Sequence, residues 1–256
     1  MLVDTCFPAC NRVHLVGDDR QLPPTLSTQL APGSGPARAA LSAATSLFEA
    51  AAARAHVHAL EVSHRLPRRL ARFISTYVYY DRLTSADDVA PEDPSAVAWV
   101  DVPCGAQMAE TGGSLVNREE AAVVIRLMAE LDATAPPSLS RVVLTPYLAQ
   151  RALLERTAPR SARNGGKWAV STADAFQGRE ADLVIISLVR TTGSAGFLAD
   201  VRRANVLLTR CRGVMRIVGH RAFWGSIRGA SFWPAVAGAF PAADSSEPLK
   251  GPLQRP

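Results

Sequence analysis

Four short apolar runs punctuate the chain: Val13–Val16, Val142–Leu144, Leu183–Val189 and Val214–Val218. Each is nearly continuous in hydrophobicity and rich in β-branched residues, the pattern of strands buried on both faces of a parallel sheet. Between them the period becomes helical. It is clearest in NREEAAVVIRLMAEL, where Ala121, Val124, Ile125, Met128 and Leu131 share one face. Asn117 is placed to cap that helix, and Glu120 at the third helical position gives the spacing of a capping box. Alternating strands and helices predict an α/β fold on a parallel sheet.

Breaks in the pattern predict boundaries. Gln29–Arg38, QLAPGSGPAR, reads as a loop, and SLFEAAAARA as an alanine-rich helix after it. One strand, one loop and one helix before LEVSHRLP are too few for a domain, so residues 1–60 are predicted to be the trailing part of a first domain. Residues 61–230 hold enough elements for a complete second domain. Residues 231–256, which end PAADSSEPLKGPLQRP, are predicted to be a disordered tail.

Composition narrows the class. A chain of 256 residues, 48% hydrophobic and 20% charged, buries a real core, which excludes disorder throughout. The net charge is +5, and only Lys167 and Lys250 are lysines. Arginine's planar fork suits phosphate, but the excess over the whole chain is attributed to coding composition, so only arginines inside motifs carry weight. Cys6, Cys10, Cys104 and Cys211 are too scattered for a disulfide framework and fit a reducing compartment. Cys6, Cys10 and His14 have ligand-like spacing, yet a closed zinc site takes four ligands, and no metal site is predicted. With no secretory leader and no apolar run near ~20 residues, the chain is expected to be intracellular and to have no membrane partner.

Ligands of open parallel sheets bind beyond the carboxyl ends of the strands, and the polar motifs are expected there. VHLVGDDRQLPP puts Gly17, Asp18 and Gln21 after a strand. Glycine permits a tight turn, and Gln21 can bond a phosphate oxygen or water; an ordinary strand-exit turn is the other reading. VVLTPYLAQ repeats the arrangement with Thr145, Pro146, Tyr147 and Gln150, offering a hydroxyl and helix-start amides to an anion, or only a threonine-capped turn. In VSTADAFQGREADLVIISLVR, the residues Ser171, Thr172, Asp174, Gln177, Gly178 and Glu180 precede a strand and Arg190 leaves it. DVRRANVLLTRCR then sets Arg203 and Arg210 near two helical turns apart, either a fixed pair for phosphoryl charge or a solvated basic face. GGKW at Gly165–Trp168 lacks the spaced first glycine and the Ser or Thr of a phosphate loop, and reads as a loop.

In order and spacing, these motifs resemble superfamily 1 helicases of the branch that contains the nonsense-mediated-decay helicase, senataxin and Aquarius. GDDRQLPP is similar to motif III, LTPYLAQ to motif IV, VSTADAFQGREADLVIISLVR to motif V and GFLADVRRANVLLTR to motif VI; SLFE with LEVSHRLPRRLARFISTYVYYDRL resembles the entry into the second RecA-like domain. The resemblance implies a RecA-like parallel sheet with helices on both faces. It implies that Gln21 senses the γ-phosphate and that Arg65 and Arg210 are arginine fingers. Thr145, Pro146, Tyr147 and Gln150 would lie near single-stranded RNA or DNA, with Thr172, Asp174 and Gln177 coupling that strand to the nucleotide cleft. Gly178 and Glu180 would approach the nucleotide, and Arg203 would support motif VI. Ser63, His64 and Arg65 stand where the family has Gln-Tyr-Arg, so His64 takes the place of an adenine-stacking tyrosine.

The sequence has no GxxxxGK[ST] phosphate loop, and MLVDT matches only half of the magnesium-binding VDEA motif. The expectation is therefore the carboxyl-terminal half of an ATP-dependent helicase, inactive alone. ATP and Mg2+ would be held mainly by the first RecA-like domain, the expected protein partner. The competing expectation is a non-catalytic module that binds nucleic acid or a partner.

Overall fold

A computed structural model describes residues 14–23, 47–53, 56–89, 92–103, 105–110, 112–158, 168–228 and 232–243. The chain divides into two compact units, residues 1–60 and 61–256.

The larger unit is built on five parallel strands: β3 (Val97–Asp101), β6 (Arg141–Thr145), β7 (Ala169–Thr172), β8 (Ala181–Ser187) and β9 (Cys211–Gly219). Their order across the sheet is β3-β9-β8-β6-β7. Side chains alternate along each strand and feed two cores. Val142, Leu144, Val184 and Ile186 join one core with α2 (Arg68–Val78) and α5 (Val201–Leu208). Val143, Leu183 and Ile185 join the other with α3 (Arg118–Thr134) and α4 (Leu148–Thr157). The sheet is thus parallel with helices on both faces, as the apolar runs predicted. Strands β3 and β7 escaped the sequence reading. β7 is a partly exposed AVST edge with little apolar signal, whereas β3 is short but carries the fully buried Trp99. Two short pairs complete the unit, β1 (Val62–Ser63) with β2 (Thr84–Ser85) and β4 (Met108–Ala109) with β5 (Leu115–Val116).

The predicted tail at 231–256 requires correction. After α6 (Arg221–Ser226), residues Phe232–Ala239 form α7, with Trp233 fully buried beside Trp224. The apolar FWPAVAGAF, not the polar stretch after it, governs this part of the chain. Beyond α7, Trp99 donates to the Pro241 carbonyl (2.8 Å) and accepts from the Ala243 amide (2.7 Å). This covers the outer edge of β3, which would otherwise present unpaired amides. Residues 244–256 lie outside the described residues.

Two expectations are refined in the smaller unit. Of the predicted strand Val13–Val16, Val13 lies outside the described residues; residues 14–16 form no strand among the described residues, and Val16 is 93% exposed. Gly17 is required by a neighbour rather than by a turn. A Cβ there would stand 2.8 Å from the Phe48 ring, which α1 (Leu47–Ala52) carries. The predicted loop at 29–38 lies outside the described residues, as do Asp4, Cys6, Cys10 and Cys104.

Candidate functional site

The site residues of the larger unit separate to opposite ends of the sheet. Glu180 immediately precedes β8 and Arg210 precedes β9; the Ala181 amide donates to the Arg210 carbonyl (2.9 Å), setting the two side by side at the amino ends of the strands. Carboxyl ends were expected for all the motifs. The link from β7 to β8 runs back along the sheet, and so delivers Glu180 to the opposite end.

Around Glu180 the structure collects guanidinium groups. Its carboxylate pairs with Arg65, from the β1–α2 connection, and with Arg212 at 3.2 Å. Arg212 also holds Asp182 at 3.0 Å, while Arg65 Nη1 donates to the Thr209 carbonyl at 3.3 Å. Arg210 adjoins this group but is turned inward and only 2% exposed. It donates to the carbonyls of Val206 (2.8 Å) and Arg179 (3.3 Å) and to Thr209 Oγ1 (2.8 Å). An exposed finger was expected there; the structure instead leaves Arg65 as the accessible member of the pair. Gly178 has φ +79°, a conformation that favours glycine, and a Cβ there would meet nothing within 4 Å. His64 is exposed, with Nδ1 3.1 Å from the Asp88 carboxylate.

The carboxyl ends hold the second group. Thr145, fully buried, ends β6, and Tyr147 behind Pro146 is 2% exposed with its hydroxyl accepting from Arg190 Nε. Burial raises the Tyr147 pKa, against the opposing pull of Arg190. Gln150 has no exposed surface, so it lies beneath this loop rather than on it. The expected helix-start anion site is also partly occupied, because Ser114 Oγ accepts the Ala149 amide (3.0 Å). Thr172 Oγ1 accepts from the Ala175 amide (3.3 Å), which turns the chain so that Asp174 and Gln177 are exposed. Asp174 pairs with Arg203 at 3.3 Å.

Sequence reasoning overlooked Phe197. It sits in a 3-10 turn, Gly196–Ala199, and is 58% exposed, with Arg203 5.6 Å from its ring centre and the Tyr147 ring at 6.0 Å. An aromatic inside the apolar GFLA gives no signal of exposure; its proximity to two arginine-bearing motifs is the only clue.

A buried polar frame supports this end. Asn117 caps α3 by accepting the Glu120 amide (3.0 Å), but the Asn117 amide donates to Gln150 Oε1 (2.9 Å) rather than to Glu120, so the predicted capping box is only half formed. The Glu120 carboxylate accepts from Ser187 Oγ (2.6 Å) and the Val189 amide (2.9 and 3.0 Å). Asn117 Nδ2 donates to the Val189 carbonyl (3.2 Å). Both backbone groups of Val189 are thus tied to the start of α3. They hold a β-branched residue at φ +70°, where it is strained, and fix the point from which Arg190 departs.

Gln21, in the smaller unit, donates from Nε2 to Asp18 Oδ2 (2.8 Å), and the Asp18 carbonyl accepts the Gln21 amide (3.2 Å). The motif closes on itself as a tight turn.

This five-stranded parallel sheet, covered on both faces by helices, is an open α/β architecture. The AAA domain family matches residues 43–222, and the chain belongs to it, as the carboxyl-terminal domain of superfamily 1 helicases of the nonsense-mediated-decay helicase and senataxin branch. It is 30% identical over 237 residues to the probable helicase senataxin of Mus musculus, covering 85% of this chain and 9% of that one. The regulator of nonsense transcripts 1 homolog of Arabidopsis thaliana is 35% identical over 231 residues, covering 82% and 18%. The chain thus spans less than a fifth of either relative. A solved C-terminal domain of a possible DNA helicase from Lactobacillus plantarum aligns at 13% identity and TM-score 0.41, covering 70% of this chain and 98% of that one. No helix among the described residues is long and apolar enough to cross a membrane.

Proposed function

We propose that this chain supplies the second-domain half of an ATP-driven helicase or translocase on single-stranded RNA or DNA. The observation that carries the reading is the two-ended site: an arginine and carboxylate cluster at the amino ends of β8 and β9, and an exposed ring among arginines at the carboxyl ends.

Arg65, Arg212 and the open face at Gly178 fit an ATP phosphate chain, because the guanidinium forks are oriented around one carboxylate that a phosphate can replace. Bound there, ATP supplies the phosphoryl group whose transfer to water drives stepping. Arg65 stabilises the developing charge, and Arg210 positions Thr209, on whose carbonyl Arg65 rests. Mg2+ would be held by the first RecA-like domain that completes the enzyme. Pro146, Thr172, Asp174 and Gln177 form the strand-facing surface, with Thr145, Tyr147 and Gln150 beneath it. His64 offers its imidazole to the base of the nucleotide in place of a tyrosine.

The second reading, a binding module without ATPase activity, is favoured by one observation: every donor nitrogen of Arg210 faces an acceptor of its own domain. Strand-stimulated ATPase separates the two. The chain alone is expected to show no turnover, and adding a first RecA-like domain from a related helicase is expected to give turnover that Arg65→Ala lowers about a thousandfold. Nucleic-acid binding with no turnover in the mixture, or turnover indifferent to Arg65, would select the binding module.

A further inference from the structure

We propose that Phe197 is a stacking platform for one base of a single strand, with Arg203 and Arg190 as its phosphate contacts; this rests on the nucleic-acid reading above and names the residue that grips the base. The ring is 58% exposed; among the described residues only Tyr77 (52%) and Tyr80 (69%) are aromatics of comparable exposure. Arg203 lies 5.6 Å over it and Tyr147 flanks it at 6.0 Å, so the solvent-facing area is what remains open to a flat partner.

The ring is also held in place. Arg203 Nη1 donates to the Phe197 carbonyl (3.3 Å), and Trp233 Nε1 donates to the carbonyl of the next residue, Leu198 (2.7 Å), which is itself buried. A fixed aromatic loses little entropy when a base settles on it. The surroundings select the occupant. Arg190 sits 5.9 Å from the Tyr147 ring, donates to the Ser194 carbonyl (2.9 Å) and packs its guanidinium against Gly196, the residue before Phe197, so a second guanidinium stands near the platform. An apolar protein segment would bring no charge to meet them, whereas a strand places phosphates on either side of each base. Asp174 holds Arg203 at 3.3 Å, and a phosphate would compete with it for the same guanidinium.

The test measures binding of the 256-residue chain to a fluorescein-labelled oligodeoxythymidylate, and to the same strand carrying abasic sites, by anisotropy at several salt concentrations. Phe197→Ala is expected to weaken binding of the normal strand about tenfold, to leave the salt slope unchanged and to abolish the difference between normal and abasic strands. Phe197→Trp is expected to restore affinity. The four native tryptophans are buried, with Trp168 the most exposed at 7%, so the new residue's emission reports the surface and is expected to be quenched by the strand. Binding by Phe197→Ala equal to that of the unaltered chain, with the abasic penalty retained, overturns the platform and leaves strand binding intact. No binding by the unaltered chain at low salt overturns both.

Discussion

Replacing Glu120 by glutamine isolates the cost of a buried charge. Glu120 is fully buried, and burial pushes its pKa from 4.5 up to about 7, although Ser187 and the Val189 amide act in the other direction. A carboxyl group raised on folding is bound to a proton more readily in the folded chain than in the unfolded one. Its contribution to stability is therefore full below the unfolded value of 4.5 and is lost as pH rises through about 7. At about 1.4 kcal/mol per pH unit, the loss between pH 5 and 8.5 comes to roughly 2 to 3 kcal/mol. Glutamine keeps an acceptor for Ser187 and the Val189 amide and carries no charge at any pH. Urea unfolding of both proteins at pH 5, 6, 7 and 8.5 is expected to show Glu120→Gln gaining on the unaltered chain by that amount across the range. The other carboxylates cancel in the difference. Parallel stability curves would show that folding does not shift the Glu120 pKa and would refute the reasoning.

Gln150→Ala leaves the buried Asn117 amide without its acceptor and opens a cavity, and is expected to cost about 2 to 4 kcal/mol in urea unfolding. Trp233→Ala removes a fully buried ring from α7 and the donor to Leu198, with an expected cost of about 3 to 5 kcal/mol; a cost below about 1 kcal/mol would mean that α7 is not part of the core.

What the sequence disclosed follows from how each signal arises. Val142–Leu144, Leu183–Val189 and Val214–Val218 are central strands flanked on both sides, so their continuous hydrophobicity is imposed by the fold and can be read directly. Edge strand β7 has one neighbour and no such requirement. Glu120 had the right residue at the right spacing for a capping box, but spacing cannot report that Ser187 and Val189, far along the chain, compete for the same carboxylate. Gln150 and Arg210 were singled out as site residues and both are buried, because a motif does not say whether a residue meets a ligand or its own backbone. Phe197 carried no motif signal at all. Exposure is a property of three-dimensional packing, and only there does the ring emerge between Arg203 and Tyr147.

The two ends of the site are joined by the same pair of segments. The loop after β7 contributes Asp174 at one end and the Arg179 carbonyl at the other, and the span from α5 to β9 contributes Arg203 and Arg210 to meet them. Arg203 with Asp174 and Arg210 with Arg179 are therefore two rungs between one loop and the segment that runs from α5 to the start of β9. A phosphate that draws Arg203 from Asp174 loosens the upper rung while the lower one, buried and backed by the Val206 carbonyl, stays closed. The exposed rung is screened by solvent and is worth little in stability, whereas the buried rung fixes the distance between Thr209 and the loop. On the function proposed above, that asymmetry lets the strand-facing end adjust to a phosphate without displacing the backbone on which Arg65 rests.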